Sequence, residues 1–322
     1  MPPYRIMIKI LFAYKAYPFT IANYFLRALH RRNDVEVVTV GEFFGQYIPW
    51  AGGISIPMKY PNQVDIPLPQ GMNRVPYAMV ESQLPWEPDL VLNVDAGFHF
   101  STKPNSPYAV VATDPHVLGD WYRDVRKNTD YFFNMQTSYM QDGDTFIHYG
   151  FDPFCHYPME FSFVNPVIGG SVPFVNEYDC SIIGLHYPQR DEWVSRLRAL
   201  GVKVNYRIGD IYDEYRHENN KAWIGLNWSS LEDVTARVFE ICAMRLVPVL
   251  NRLPGLDALG FEDGRHYLGF STMQEAVDKV MWAMSHREQA EQIALEAYQF
   301  VHSKKYTYDD AVQQILEKTG QI

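Results

Sequence analysis

The chain has 322 residues, of which 47% are hydrophobic and 20% charged, and a formal net charge of −10. At roughly 100–200 residues per domain this length points to two domains, and the composition is that of a soluble globular protein without low complexity or a heptad pattern. Proteins that track phosphate backbones are usually basic, so the charge argues against a dedicated nucleic-acid binder, and no apolar run reaches the ~18 residues of a membrane span.

From the amino end, Arg5 to Ala13 (RIMIKILFA) is an apolar run typical of a strand buried on both faces. The spacing predicts a helix over Phe19 to Arg31. It ends in a basic cluster, Arg27 to Arg32 (RALHRR), where cations suit a helix C-terminus better than they indicate a membrane or phosphate patch. Val35 to Val40 reads as a strand. Pro and Gly at short intervals make Gly41 to Asn73 a long loop with room for one strand. A short helix over Val75 to Ser82 and strands at Leu90 to Val94 and Tyr108 to Ala112 come next. A helix near Leu118 to Lys127, a strand at Tyr131 to Asn134, a helical turn at Thr137 to Gln141 and a strand at Thr145 to His148 close this half.

Gly150 to Asn176 carries Pro and Gly throughout and has no clear period, so it reads as a linker with the boundary near Val167 to Asn176. This gives domains over 1–166 and 177–304, with 305–322 a candidate addition to the first. The second half restarts the alternation: a strand at Asp179 to Gly184, a helix over Gln189 to Leu200 and Gly201 where a helix C-cap needs a left-handed residue. Strands at Val202 to Ile208, Ala222 to Leu226 and His266 to Phe270 are expected, with a helix over Tyr212 to Asn219 and helices to the end. Strand–helix alternation in both halves implies an α/β protein of two Rossmann-like parallel-sheet domains facing a central cleft, with ligands at the carboxyl ends of the strands.

One stretch carries more chemistry than the rest. In LEDVTARVFEICAMRLVPVLN, Leu231 to Asn251, Glu232 and Glu240 stand eight residues apart. With Thr235 as N-cap, a helix from Ala236 places Ala236, Phe239, Cys242, Ala243 and Leu246 on one face. Glu240 falls beside that face, next to Met244 and Arg237, at the rim of a core, and a strand over Leu246 to Leu250 follows. A helix N-terminus offers free N–H groups and partial positive charge to a phosphate, and a carboxylate one turn deeper suits ribose hydroxyls. An amphipathic helix with a surface glutamate accounts for the same residues.

Other groups are weaker. Asp114 and His116 (TDPH) follow a strand, where His116 would serve as a base toward a hydroxyl, although Asp-Pro also starts turns. Asp142 to Asp144 (DGD) resembles a metal-binding pattern, with a turn the simpler reading. Tyr14, Lys15 and Tyr17, and the Trp and Tyr of Leu118 to Asp124, are either ligand contacts or core edge. No G-x-G-x-x-G follows the first strand, G-x-S-x-G is absent, and no pattern predicts a metal site. Cys155, Cys180 and Cys242 have no metal spacing, and the N-terminus shows no leader pattern, which predicts a cytoplasmic protein.

The second half resembles glycosyltransferases of the GT-B superfamily, group 1, in their spore-maturation-type branch. The resemblance rests on YDCSIIGLHYPQR (Tyr178 to Arg190), KAWIGLNWSS, ARVFEICAMRLVPVLN, PGLDALGFEDGRHYLGF (Pro254 to Phe270) and YTYDDAVQQIL (Tyr306 to Leu316). EPDLVLNVDAG, VATDPH and IHYGFDP are looser echoes in the first half. The resemblance implies a nucleotide-diphosphate sugar, UDP-linked above all, on the second domain and an acceptor on the first, with no cofactor or metal and a retaining outcome. It implies that Glu240 holds the ribose and Glu232 faces the sugar hydroxyls. Arg237 with the backbone of Val234, Thr235 and Ala236 would meet the diphosphate, flanked by Gly184 and Arg190. Asp114 and His116 would be the acceptor-side groups. The last helix would cross back to the first domain. Two departures stand out: no glycine lies between Glu232 and Glu240, and Arg245 stands where the family often has Gly. The acceptor is open among a glycan, a small molecule, a protein and a modified nucleic acid such as a hydroxymethylated DNA base. A catalytically inactive relative that binds sugar or protein, and an epimerase or hydrolase of the same fold, are the other readings.

Overall fold

The computed structural model describes residues 7–17, 19–42, 47–49, 55–57, 64–69, 71–94, 97–159, 162–164, 171–173, 176–184, 188–229 and 231–322. Arg5 and Ile6 of the expected first strand, much of the 43–63 loop, Asp95 and Ala96, residues 185–187, and residues 167–170 and 174–175 of the expected boundary lie outside them. The chain forms two compact units, residues 1–149 with 308–322, and residues 150–307.

Unit 1 is built on a seven-stranded sheet. Its strands are β1 (Ile8–Ala13), β2 (Val35–Glu42), β3 (Ile66–Leu68), β4 (Leu90–Val94), β5 (Tyr108–Ala112), β6 (Tyr131–Asn134) and β7 (Thr145–Phe146). All pair in parallel, in the order β7-β6-β5-β4-β1-β2-β3. Every residue of β4 and β5 is buried, which explains why they read as unbroken apolar runs rather than alternating ones. The region after β2 holds more structure than a loop: β3 and two short strands, Tyr47–Pro49 and Ser55–Pro57, lie within it. Helix α1 (Ala22–His30) buries Ala22, Phe25, Ala28 and Leu29, and α2 (Gly119–Val125) leads into β6.

Unit 2 repeats the plan with five strands: β8 (Cys180–Ile183), β9 (Val204–Arg207), β10 (Ile224–Asn227), β11 (Val247–Asn251) and β12 (Leu268–Phe270). They are parallel in the order β9-β8-β10-β11-β12. Between the strands lie α3 (Pro188–Ala199), α4 (Tyr212–Asn220), α5 (Ala236–Ala243) and the short helix Pro254–Ala258, and α6 (Met273–Ser285) and α7 (Arg287–Ser303) follow the last strand. Leu197, Ile224, Val249, Val280 and Ala290 centre the core. Gly225 lets α5 close on β10, because a Cβ there would stand 2.7 Å from Ile241 Cγ2.

The first residues after Tyr149 do not behave as a linker. Phe151 N–H donates to the Tyr306 carbonyl at 3.0 Å, and Met159 N–H donates to Asn220 Oδ1 at 3.0 Å, tying this segment into unit 2. The last helix, α8 (Tyr308–Lys318), belongs to unit 1. Arg31 grips Asp309 with two bonds of 2.8 and 2.6 Å, and the Tyr24 and Tyr308 rings stack at 5.3 Å. The basic cluster is thus paired internally, with Arg32 on Asp34 and Gln313. Among the described residues no helix is long and apolar enough to cross a membrane. Cys155, Cys180 and Cys242 are buried, and burial pushes the thiols of Cys180 and Cys242 up.

Candidate functional site

In unit 2 the strand order reverses between β8 and β10, since β9 lies to one side and β11 and β12 to the other. Open parallel sheets bind ligands at such a point, outside the carboxyl ends of the strands. Two loops meet there, one starting at Gly184 and one running from Trp228 to Thr235.

Gly184 has φ +145°, and a Cβ on it would stand 2.3 Å from Arg237 Nη2 and 3.3 Å from Arg190 Nη1. Only the missing side chain lets two guanidinium groups converge beside this backbone. Arg190, in the first turn of α3, is 7% exposed and donates to the Trp228 carbonyl at 3.3 Å. Arg237, in the first turn of α5, donates through Nη1 to Asn227 Oδ1 at 3.1 Å. Its Nε is buried and has no hydrogen-bond partner among the described residues. Asn227, the last residue of β10, turns its other end to Thr235, Nδ2 donating to Oγ1 at 3.2 Å.

The loop is fastened at its root. Asn251 accepts from the Ser229 N–H at 3.0 Å and donates to the Ser229 carbonyl at 3.4 Å; Ser229 in turn bonds Asp233 through side chain and backbone. Val234 is buried, and Thr235 is the N-cap residue of α5. Its hydroxyl does not cap the helix; it is engaged by Asn227 instead, so among the described residues the N–H groups of the first turn, from Ala236 on, receive no side-chain cap from it. Together with the two arginines this makes a cationic corner suited to an anion.

Glu240 lies one turn deeper. The sequence places it at the rim of the core, whereas in the structure it is 7% exposed and flanked by buried Val238, Phe239 and Ile241. The α5 helix is buried nearly all round, so a one-face reading of its pattern underestimates the burial of this carboxylate. Its neighbours are His156, with Nε2 3.8 Å from Oε1, and Tyr215 of α4. Burial raises the Tyr215 pKa most, the Glu240 charge adds to it and Arg237 opposes it. Neither His156 nor Tyr215 is among the residues singled out from sequence. His156 sits in the apparent linker, and Tyr215 in a helix whose polar composition gives no sign of a site.

Glu232 is exposed, in the left-handed conformation at φ +59°, and is not part of the buried cluster. A glycine would suit that conformation. Arg245, at φ +58°, likewise occupies the left-handed position after α5 where glycine is expected.

In unit 1, Asp114 and His116 lie at the carboxyl end of β5, both half-buried. The segment is a turn, with the N–H groups of Val117 and Leu118 donating to the Asp114 carbonyl at 3.1 and 3.0 Å. Thr113 Oγ1 donates to Asp114 Oδ2 at 3.0 Å, the Tyr149 hydroxyl donates to the Thr113 carbonyl at 2.6 Å, and the His116 ring lies 5.6 Å from that of Tyr139. Tyr122 is buried with its hydroxyl accepting from Thr113 N–H, a core role. Tyr14 is core as well, its pKa pushed up to about 12 by burial and the Asp65 charge, while Lys15 pairs with Glu42 at 3.2 Å. Asp144 of the DGD turn is committed to Arg126, Asn134 and the Gln141 N–H, so this carboxylate is structural.

Residues 171–317 match the family described as glycosyl transferase-like. No curated protein sequence matches the chain. Among solved structures it is similar to sucrose-phosphate synthase from Thermosynechococcus elongatus, at 10% identity and TM-score 0.63 over 98% of each chain. It is also similar to Anabaena HepE in complex with UDP-glucose, at 13% identity and TM-score 0.63 over 98% of this chain and 100% of that one. The DNA-modifying β-glucosyltransferase of T4 phage with UDP and Mn2+ is a third, at 10% identity and TM-score 0.53 over 97% and 99%. At these identities the likenesses establish the fold, which is α/β with parallel sheets and of the GT-B type.

Proposed function

We propose that the protein transfers a sugar from a nucleoside-diphosphate sugar, UDP-linked as in the HepE complex, to an acceptor hydroxyl. The convergence of Arg190 and Arg237 over Gly184, one helical turn from buried Glu240, is the observation that carries this reading. The arginines and the uncapped start of α5, over Val234, Thr235 and Ala236, take the diphosphate. Glu240 takes the ribose hydroxyls. Glu232, on the exposed lip of the loop, faces the sugar.

In the reaction the bond between the sugar C1 and the β-phosphate oxygen breaks, its electron pair leaving with the nucleoside diphosphate. The acceptor oxygen bonds to C1 and its proton passes to a base. Charge develops on the departing phosphate, and preorganised guanidinium and N–H donors stabilise it most where water is excluded. Two arginines in this role support a metal-independent reaction, whose rate chelators would leave unchanged. Asp114 and His116 are the unit 1 groups assigned to the acceptor and its proton. Retention and a place in the spore-maturation-type branch rest on the motif resemblance, and a cytoplasmic setting rests on the buried cysteines, which have no metal spacing. The acidic total charge, −10, favours a glycan, small-molecule or protein acceptor over DNA.

The test is a thermal-shift panel of UDP, GDP, TDP, ADP and CMP with their common sugars, on the wild type and on Glu240→Ala. A ligand at ~100 times its dissociation constant adds ~2.7 kcal/mol. Stabilisation of the wild type by UDP-sugars, absent from the mutant, is expected. A folded protein that responds to none of them removes the donor-site reading.

A further inference from the structure

Glu240 sits against a second segment of unit 2, one that the donor reading leaves unused. Asp152 to His156 forms a tight turn in which the N–H groups of Cys155 and His156 donate to the Asp152 carbonyl at 3.0 and 2.7 Å. The Asp152 N–H donates back to His156 Nδ1 at 3.0 Å. A ring nitrogen that accepts carries no proton, so the neutral ring keeps its proton on Nε2. That Nε2 is the atom 3.8 Å from Glu240 Oε1, with the His156 side chain fully buried and that of Glu240 10% exposed. Backbone geometry alone thus selects the tautomer that points an N–H at the carboxylate.

Tyr215 closes the other side. Its ring meets the His156 ring edge to face at 5.8 Å. Its hydroxyl is buried close to both Glu240 and Arg237.

We propose that His156 is a positioning residue for Glu240: its Nε2–H fixes one carboxylate oxygen so that the other faces the two vicinal hydroxyls of a nucleotide's ribose. The assignment rests on the donor reading of the site. The separation of 3.8 Å exceeds a hydrogen bond, and a small rotation of the carboxylate closes it as the ribose binds.

The experiment is calorimetric titration of UDP and of 2′,3′-dideoxy-UDP into the full chain, as wild type, His156→Phe and His156→Gln. The wild type is expected to bind UDP at least about tenfold more tightly than the dideoxy form, the worth of one or two hydrogen bonds to a charged group. His156→Phe fills the space without a donor. It is expected to lose about tenfold on UDP and nothing on the dideoxy form, while His156→Gln, which keeps an N–H, recovers most of the loss. If His156→Phe does not fold, His156→Asn carries the comparison, its amide being too short to reach Glu240. Equal losses on both ligands mean a structural role and overturn the proposal, as does unchanged UDP binding. A wild type that binds neither nucleotide overturns the donor reading and the proposal with it; one that binds UDP keeps the first and isolates the second.

Discussion

Gly184→Ala perturbs the site at its narrowest point. The added Cβ would lie 2.3 Å from Arg237 Nη2, 3.0 Å from Arg237 Cζ and 3.3 Å from Arg190 Nη1, on a residue with φ +145°. Two costs follow. An L-residue held at such a φ is destabilised by on the order of 1–3 kcal/mol. The clash itself is with the far end of a flexible side chain, so it is relieved by moving the Arg237 guanidinium away from Asn227 rather than by moving backbone. Losing one charge-assisted contact to a diphosphate costs about 1.5–3 kcal/mol, or roughly ten- to hundredfold in affinity. Thermal unfolding is expected to fall by about 5 °C, at roughly 2–4 °C per kcal/mol for a unit of this size, and calorimetry with UDP to show the affinity loss. Gly201→Ala is the control, because φ there is +84° and a Cβ would meet nothing within 4 Å. It should show the thermal cost, about 1 kcal/mol, and no change in binding. Should Gly184→Ala bind UDP like the wild type, Arg237 is not at the diphosphate and the reasoning about the glycine is wrong.

Glu240→Gln should lower UDP affinity by about tenfold or more through loss of the charged acceptor, with unchanged unfolding as the check that the buried cluster survives. Arg245→Gly should raise stability by about 0.5–1 kcal/mol, because φ +58° strains any residue with a Cβ; a lower melting temperature would contradict this. For Asp144, burial alone would raise the pKa, but hydrogen bonds from Arg126, Asn134 and the Gln141 N–H outweigh it and hold the carboxyl below its usual range. A carboxyl depressed in the folded state adds stability above its unfolded pKa of about 4 and loses it as pH falls through the folded value. Asp144→Asn should therefore cost about 3 kcal/mol at pH 7, in denaturant unfolding, and progressively less below about pH 4; a cost independent of pH would refute the ion pair's role.

The central strands were legible because parallel strands covered on both faces must be apolar throughout. Leu90 to Val94, Tyr108 to Ala112 and Tyr131 to Asn134 fall where the runs place them. So does the start of α5 at Ala236 after Thr235. The short strands after β2 were not, since three-residue strands rich in Pro carry no period. Gly184, Arg190, Arg237 and Glu240, which the fold brings together at the proposed site, were singled out in the sequence because a phosphate corner needs Arg, Gly and a helix start at fixed places in the sheet. Asn227, which orients both Arg237 and Thr235, left no trace beyond its position at a strand end. His156 was hidden for a different reason. Its segment has the Pro- and Gly-rich look of a linker, and only the fold brings it to Glu240, 84 residues further along the chain.

The most direct test of the donor site is a crystal structure of the full chain grown with UDP. The account predicts the diphosphate at hydrogen-bond distance from Arg190, Arg237 and the first N–H groups of α5, with the ribose hydroxyls on Glu240. UDP bound elsewhere on the chain, or at this corner with its ribose turned away from Glu240, would contradict it.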